Sequence, residues 1–247
     1  MDYTKKAEIE FEAREAERQR DARLDFDPIA SNDKWWLWRV NMVISSLKLK
    51  LGDTILDVGA ASCEISEYLA NLGYDVVALD ISQSMLLISD KRVKKFKRKL
   101  KLQYTVGDSE DLPFKNCVFS KIICLDTLHH LPQPQKAVNE FYRILKPGGK
   151  ILCYEPNSCN PIRKIRELTW KEKNLEMSFL PWKLKRLFKK YGFKVNQVKF
   201  DSSPIPFPPW LRPNTTDVKW YHKLYVFIAR NRFTQRFFGG ILLVAEK

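Results

Sequence analysis

The chain has 247 residues, of which 45% are hydrophobic and 13% aromatic, and its formal net charge is +14. This composition is typical of a globular protein and argues against a disordered chain, and the length allows one large domain or two small ones. Because no stretch of about 18 apolar residues occurs, we expect no membrane-spanning helix. The first twenty residues are so charged that we do not expect them to be a signal peptide.

The first fifty residues predict a helical cap. Residues 5–24 form a charged helical pattern with a thin apolar stripe. The aromatic patch Trp35–Trp38 follows, and it leads into an apolar helix that ends near Leu47. We therefore expect helices rather than strands over residues 1–50.

From Thr54 onward the pattern alternates between short apolar runs and helical stretches. Ser82 is placed to cap a helix that follows the second run, and Pro134 suits the first turn of another helix. Such alternation predicts an α/β fold with a doubly wound, mostly parallel sheet and helices on both faces. The strands that we predict in this part of the chain cover residues 54–58, 75–80, 102–106, 120–126 and 150–155.

The C-terminal third is less regular. It predicts a helix at 181–191, a strand at 193–200 and a last strand at 240–245. The segment Ser202–Pro213 contains five prolines and can be neither a helix nor a central strand. An aromatic-rich helix is expected at 220–229.

The five cysteines show no spacing typical of a metal site. They do not form a CxxC motif and do not pair with the three histidines. We therefore expect reduced thiols in a cytoplasmic protein, and no bound metal.

Two features at the ends of predicted strands indicate a nucleotide site. The first strand runs into a turn of small residues, Gly59–Ser62, that precedes a helix and lets the backbone approach a ligand. The second strand ends in Asp80, whose carboxylate can accept hydrogen bonds from both hydroxyls of a ribose. These features alone fit either a dinucleotide or an adenosyl cofactor.

The full order of motifs helps to decide between a dinucleotide and an adenosyl cofactor. The segments DVGAAS, ALDIS, GDSEDLPF, DTLHHL, LKPGG and EPN follow one another over residues 54–157. This order resembles the class I S-adenosylmethionine-dependent methyltransferases, particularly the small-molecule branch that includes quinone and sterol C-methyltransferases. The resemblance implies S-adenosylmethionine as the cofactor and a seven-stranded sheet with an antiparallel last strand. It divides the single domain, residues 1–247, into a cap (1–50) over the cofactor, a cofactor-binding core (51–157) and an acceptor lid with the last two strands (158–247).

The resemblance also assigns cofactor contacts, all of them near the carboxyl ends of the first four strands. They are Asp57, Gly59, Ala60, Ala61 and Leu125 around the methionine part, Asp80 on the ribose, and Ile81, Met85, Asp108 and Ser109 around the adenine. One departure concerns the turn, because the family has further glycines two and four positions after Gly59. Here those positions are Ala61 and Cys63, so we expect a slightly wider turn that still binds the cofactor.

Methyl transfer from a sulfonium needs mainly an aligned acceptor, and a base only where the acceptor must lose a proton. His129 and His130 are the candidate bases, since histidine titrates near neutrality. The alternative is that one of them only packs against the next helix. We expect Asp126, Glu155 and Asn157 to line the acceptor pocket.

The positive charge is concentrated in residues 158–247, which hold 19 basic and 6 acidic residues. A mixture of basic residues with tryptophan and tyrosine suits an anionic membrane surface, and it also suits nucleic acid. We favour the membrane or a lipid-linked acceptor, because Pro204–Leu211 is apolar and no RNA-binding module is present. An ordinary basic lid over the acceptor pocket remains equally open. A second basic run, Lys91–Lys101, is interpreted as a solvated helix end.

These observations predict transfer of a methyl group from S-adenosylmethionine to an oxygen or carbon of a small or lipid-linked acceptor. The expected location is cytoplasmic or peripheral to a membrane. The alternatives are an RNA methyltransferase that uses the basic C-terminal face, and a non-catalytic binding protein with a methyltransferase-like fold. A nicotinamide-dependent oxidoreductase is disfavoured, because the motifs after the third and fourth strands do not suit it.

Overall fold

A seven-stranded sheet organises the chain in the computed structural model, which describes residues 3–160, 178–201, 234, 237 and 239–247. The strand order is β3-β2-β1-β4-β5-β7-β6. Strands β1 to β5 pair in parallel, and β7 is antiparallel to both of its neighbours. The strands are β1 (Thr54–Val58), β2 (Asp75–Asp80), β3 (Leu102–Val106), β4 (Phe119–Leu125), β5 (Leu145–Glu155), β6 (Lys194–Asp201) and β7 (Gly240–Glu246).

The described helices flank both faces of this sheet. They are α1 (Tyr3–Arg18), α2 (Arg20–Asp25), α3 (Lys34–Leu47), α4 (Glu64–Asn71), α5 (Gln83–Lys95), α6 (Pro134–Ile144) and α7 (Pro181–Lys190), with a 3₁₀ turn at Leu128–His130. On one face, Phe141 of α6 and Phe188 of α7 are fully buried in one core cluster. On the other, Val43 of α3 and Leu69 of α4 belong to a second cluster. The doubly wound α/β fold predicted from the sequence is confirmed.

The central strands show why this architecture was visible in the sequence. Strands β1 and β4 each end in four consecutive buried residues, as expected for strands that are covered on both faces. The helix starts follow their predicted signals too. The Ser82 hydroxyl accepts a bond from the Met85 N–H at 3.4 Å, and Pro134 is the first residue of α6.

Several boundaries differ from the sequence predictions, most of them by a single residue. The charged helix expected at 5–24 is two helices, α1 and α2. Strand β4 begins one residue earlier than expected, and β5 begins at Leu145 rather than at residue 150. Leu145 already pairs with Phe119, and the register then shifts before Lys121. Gly149 allows this path, because a Cβ there would lie only 2.8 Å from the Lys146 carbonyl oxygen.

The expected lid, in residues 158–247, lies largely outside the residues that the structure describes. The proline-rich segment and the helix predicted at 220–229 lie there entirely. Within the described residues, no helix combines the length and the apolarity that crossing a bilayer requires.

Candidate functional site

The turn after β1 has an unusual backbone. Gly59, Ala61 and Cys63 all have positive φ angles, +67°, +46° and +60°. A Cβ on Gly59 would collide with the side chain of Thr127, so only glycine fits there. The N–H groups of Gly59 and Ala60 donate to the Leu79 carbonyl oxygen, at 2.9 and 3.0 Å. The turn is therefore held against the end of β2.

Asp80 connects this turn to the start of α5. Its carboxylate accepts the Ala61 N–H at 2.8 Å through one oxygen and the Ser82 N–H at 2.8 Å through the other. Burial raises the pKa of Asp80, while these backbone donors lower it. Each carboxylate oxygen keeps a further lone pair, so Asp80 can still accept bonds from a diol placed at this edge.

Asp57 lies deeper, one residue before the end of β1. The Ser66 hydroxyl donates to its carboxylate at 2.6 Å. Burial raises the pKa of Asp57 to about 7, and the negative charges of Asp80 and Glu64 add to the rise, whereas Ser66 and Arg39 oppose it. A buried carboxyl that titrates near neutrality is characteristic of functional sites.

Asp108 follows β3 and is contacted by the N-terminal helix. The Lys5 ammonium of α1 lies 2.5 Å from the Asp108 carboxylate and 2.6 Å from that of Glu110. Beside this contact is a cavity of about 460 Å³. Its walls include Ile81 and Asp108 on the sheet side and Lys5 and Ile9 on the α1 side.

The cavity thus brings together two of the residues predicted around the adenine, Ile81 and Asp108. Ser109 is buried next to Asp108, and Met85 is 1% exposed and packs with Ala16 and Ile88. Met85 is not part of the cavity wall. Leu125 is buried at the end of β4, on the same edge of the sheet as the Gly59 turn.

The two histidines differ in accessibility. His129 is 5% exposed, and its Nδ1 lies 2.7 Å from the Glu155 carboxylate. His130 is half-buried, and the two rings lie 4.0 Å apart between centroids. If Nδ1 of His129 carries the proton for Glu155, the neutral ring keeps its lone pair on Nε2.

Glu155, which we expect at the acceptor pocket from the sequence, is bound by the protein's own hydrogen-bond donors. It is fully buried, and its carboxylate accepts the backbone N–H groups of Thr127, Leu128 and His129 at 3.2, 2.8 and 3.3 Å. A buried carboxylate must find such donors, and here they come from the 3₁₀ turn. Asn157 is likewise buried, whereas Asp126 is more exposed and forms an ion pair with Arg39 of α3 at 2.9 Å.

A group of possible metal ligands also occurs in the core. The ligand atoms of Cys124, Cys153 and Glu155 lie within 4.8 Å of one another. Glu155 is already occupied by its four donors. The pKa of each thiol is raised, which favours the protonated form that does not bind metals.

Sequence reasoning missed the contributions of Lys5 and Arg92 to this region. Lys5 has no local signal, since it is one charge in a highly charged helix. Arg92 belongs to the basic run that was interpreted as solvated, yet its side chain is fully buried. Arg92 lies three positions after Ser89, on the inward face of α5. This helical spacing is the signal that could have indicated that Arg92 is buried.

Comparisons with known proteins agree with this geometry. Residues 56–153 match the family described as "Methyltransferase domain". A demethylmenaquinone methyltransferase from Paenarthrobacter aurescens is 32% identical over 118 residues, which is 48% of this chain and 44% of that protein. A ubiquinone biosynthesis O-methyltransferase from Xanthomonas oryzae is 32% identical over 114 residues, 46% of each chain. The chain thus spans about half the length of these curated relatives.

A solved structure extends the likeness in fold. The S-adenosylmethionine-dependent methyltransferase from Aquifex aeolicus superposes with a TM-score of 0.60 at 18% identity, over 90% of this chain and 99% of that one. At such identity the likeness establishes the fold alone. Over residues 56–153 the chain is similar to the methyltransferase domain family, and over about half of its length it is similar to quinone methyltransferases.

Proposed function

We propose that this protein transfers a methyl group from S-adenosylmethionine to an oxygen or carbon atom of a small or lipid-linked acceptor. The observation that carries the proposal is the placement of Asp80 and Asp108 after adjacent strands. Asp80 is hydrogen-bonded to the small-residue turn, and Asp108 lines the cavity with Ile81. Carboxylates in these places suit the ribose hydroxyls and the amino group of an adenosyl ligand.

The methionine end of the ligand would meet Asp57 and the Gly59–Ala61 backbone, above Leu125. A carboxylate is a suitable partner for the cationic end of the ligand, and a buried apolar floor excludes water from the sulfonium. In the transfer, the acceptor atom attacks the methyl carbon, the carbon–sulfur bond breaks, and the electron pair stays on the sulfur as S-adenosylhomocysteine forms. Holding the acceptor in line would supply much of the acceleration.

For an acceptor that must lose a proton, we propose His130 as the base, because it is the more exposed histidine. His129 would orient the ring of His130, since the ring of His129 is itself held by the Glu155 carboxylate. The class of acceptor is inferred from the relatives, whose names specify quinone precursors. One of these relatives is named an O-methyltransferase, and a relative from Roseobacter denitrificans is named a C-methyltransferase, so the names do not determine the acceptor atom of this chain.

A lipid-linked acceptor would be easiest to reach from a membrane surface, and α7 offers a suitable face. Leu184 and Phe188 point into the core, whereas Trp182 is 61% exposed. The other exposed residues of the helix are all basic, namely Lys183, Lys185, Arg186, Lys189 and Lys190. This face suits anionic headgroups, and we propose peripheral attachment of a cytoplasmic protein. RNA is the alternative partner for the same charges.

The cofactor assignment is tested by titrating S-adenosylhomocysteine into the protein in a calorimeter. We expect Asp80→Ala to weaken binding at least tenfold, because it removes the ribose acceptor and a contact of the turn. The matched control is Asp75→Ala, at the exposed opposite end of the same strand. Wild-type protein that binds NADH and not S-adenosylhomocysteine would overturn the proposal, and an unaltered affinity in Asp80→Ala would overturn the ribose assignment.

The acceptor is tested by incubating the protein with a cell extract and methyl-labelled S-adenosylmethionine. Mass spectrometry should find the label in a small or lipid-linked product. Label in RNA would favour the RNA methyltransferase. Cofactor binding without any labelled product would favour the non-catalytic alternative.

A further inference from the structure

Arg92 is the feature that the proposed function leaves unexplained. It lies in the basic run Lys91–Lys101, beside the exposed Lys91 and Lys94, but it is among the largest fully buried side chains of the described residues. A guanidinium cannot lose its proton in a protein, so it is buried as a charge. Burial of a charge is tolerated only where ion-pair and hydrogen-bond partners surround it.

The partners of Arg92 come from three separate parts of the chain. Its Nε lies 3.0 and 3.1 Å from the two oxygens of Glu67 in α4, and its Nη2 lies 2.7 Å from one of them. Nη2 also donates to the Ser62 carbonyl oxygen at 2.5 Å. Nη1 donates to the Arg23 carbonyl oxygen in α2 at 2.8 Å. Only the planar, multivalent guanidinium can make all of these bonds at once.

Two of these contacts reach the cofactor turn and the N-terminal cap. Ser62 is the residue between Ala61 and Cys63, which both have positive φ angles. The Arg23 side chain also contacts the Ser62 hydroxyl, so the end of α2 and Arg92 hold the same residue. Arg92 therefore connects α5, the turn and the cap through Ser62.

The positive φ angles show why such a connection is needed. Non-glycine residues avoid the left-handed region, and they stay there only where surrounding contacts enforce it. Ala61 and Cys63 are not glycines, so this turn cannot rely on the conformational freedom of a glycine backbone at these two positions. Asp80 holds the Ala61 N–H on one side, and Arg92 holds the Ser62 carbonyl oxygen on the other.

We propose that Arg92 is a positioning residue that holds the Gly59–Cys63 turn in its ligand-binding conformation, although Ala61 and Cys63 are not glycines. The inference rests on the proposed cofactor site. It predicts that loss of the Arg92 contacts weakens cofactor binding through the turn, without a direct contact between Arg92 and the ligand. It also predicts that a glycine at position 61 relieves the requirement for Arg92.

The test uses Arg92→Lys, which keeps a positive charge beside Glu67 but cannot reach all three acceptors. S-adenosylhomocysteine is titrated into each variant well below its unfolding temperature. We expect Arg92→Lys to bind at least tenfold more weakly than wild type and to exchange the Ala61 amide hydrogen faster. Lys91→Met, the exposed neighbour on the same helix, should change neither quantity more than twofold.

A second variant separates positioning from a general loss of stability. The affinity of Ala61→Gly alone is the reference for this test, and Ala61→Gly added to Arg92→Lys should recover most of the affinity that Arg92→Lys loses. A merely structural role for Arg92 would give additive effects instead. Additive effects, or a folded Arg92→Lys protein with wild-type affinity, would overturn the inference. Wild-type protein that fails to bind S-adenosylhomocysteine would sink the proposed function itself, so the two failures are distinguishable.

Discussion

Asp57 is a residue whose burial opposes the stability of the folded protein above its pKa. Its pKa in the folded protein is about 7, above the ordinary value of 3.8, because burial disfavours the carboxylate. The folded state thus binds a proton that the unfolded state has already released between these two values. Folding stability therefore falls as the pH rises from about 4 to 7, and the loss is complete above pH 7.

We predict that Asp57→Asn removes this loss. The amide keeps a carbonyl oxygen for the Ser66 hydroxyl but carries no charge. The stability of the variant relative to wild type should increase from pH 5 to pH 8 by roughly 2–4 kcal/mol. Urea unfolding at the two pH values measures the difference. A relative stability that does not increase between the two pH values would contradict the assignment.

The same titration should appear in ligand binding. If the cationic end of the cofactor faces Asp57, it must meet an ionised carboxylate. Affinity for S-adenosylhomocysteine should then fall up to tenfold per pH unit below pH 7 in the wild type. Asp57→Asn should bind more weakly throughout and without this slope. An equal slope in both proteins would assign the titration to another group.

At the scale of one element, two glycines allow the cost of backbone strain to be distinguished from the cost of a steric collision. Gly59 and Gly148 both have positive φ angles, but a Cβ would collide with Thr127 only at Gly59, and at Gly148 nothing lies within 4 Å.

We predict that Gly148→Ala costs about 1 kcal/mol of stability for the backbone alone. Gly59→Ala should cost about 1–3 kcal/mol more, since it also displaces Thr127. It should abolish S-adenosylhomocysteine binding, whereas Gly148→Ala should not affect it. Denaturant unfolding and calorimetry measure both effects. Equal losses of stability in the two variants would show that the Thr127 side chain can move aside without a loss of folding free energy.

At the scale of the whole molecule, the basic outer face of α7 is the surface that we propose to bind an anionic membrane. We predict that the triple variant Lys185→Glu, Arg186→Glu, Lys189→Glu no longer co-sediments with vesicles of anionic phospholipid at low salt. Each basic group near such a surface contributes about 1 kcal/mol to the free energy of membrane binding. S-adenosylhomocysteine binding should be unchanged.

The matched control reverses Lys91, Lys97 and Lys99, which are exposed in and beyond α5 and change the net charge equally. It should still bind the vesicles. Loss in both variants would indicate a non-specific effect of net charge. Binding of the wild type to RNA on filters, but not to vesicles, would favour the nucleic-acid alternative.

The sequence predicted those parts of the fold that local patterns determine. Apolar runs of β1 and β4 and the signals at Ser82 and Pro134 are readable because each depends on neighbours in the chain. The number of strands and the antiparallel last strand were expected from the family resemblance instead.

Sequence reasoning could propose site residues only where they lie at the carboxyl ends of strands, as Asp80 and Ile81 do. The buried partners of Glu155 and Arg92 depend instead on segments that are distant in the chain. The side chain of Arg92 meets Glu67 from 25 positions away and the carbonyl of Arg23 from 69. No composition or period encodes such a contact, and a basic run predicts solvent exposure instead.

The Lys5 contact would give the first helix a part in ligand exchange if the proposed adenosyl ligand binds beside it. The Lys5 ammonium is paired with Asp108 and Glu110, and Lys5 and Ile9 of α1 form one wall of the cavity at Asp108. A nucleoside that enters from this side must compete with an internal cation for Asp108. Loading would then be coupled to a shift of α1, and a fluorophore ahead of Tyr3 would report on occupancy from outside the crevice.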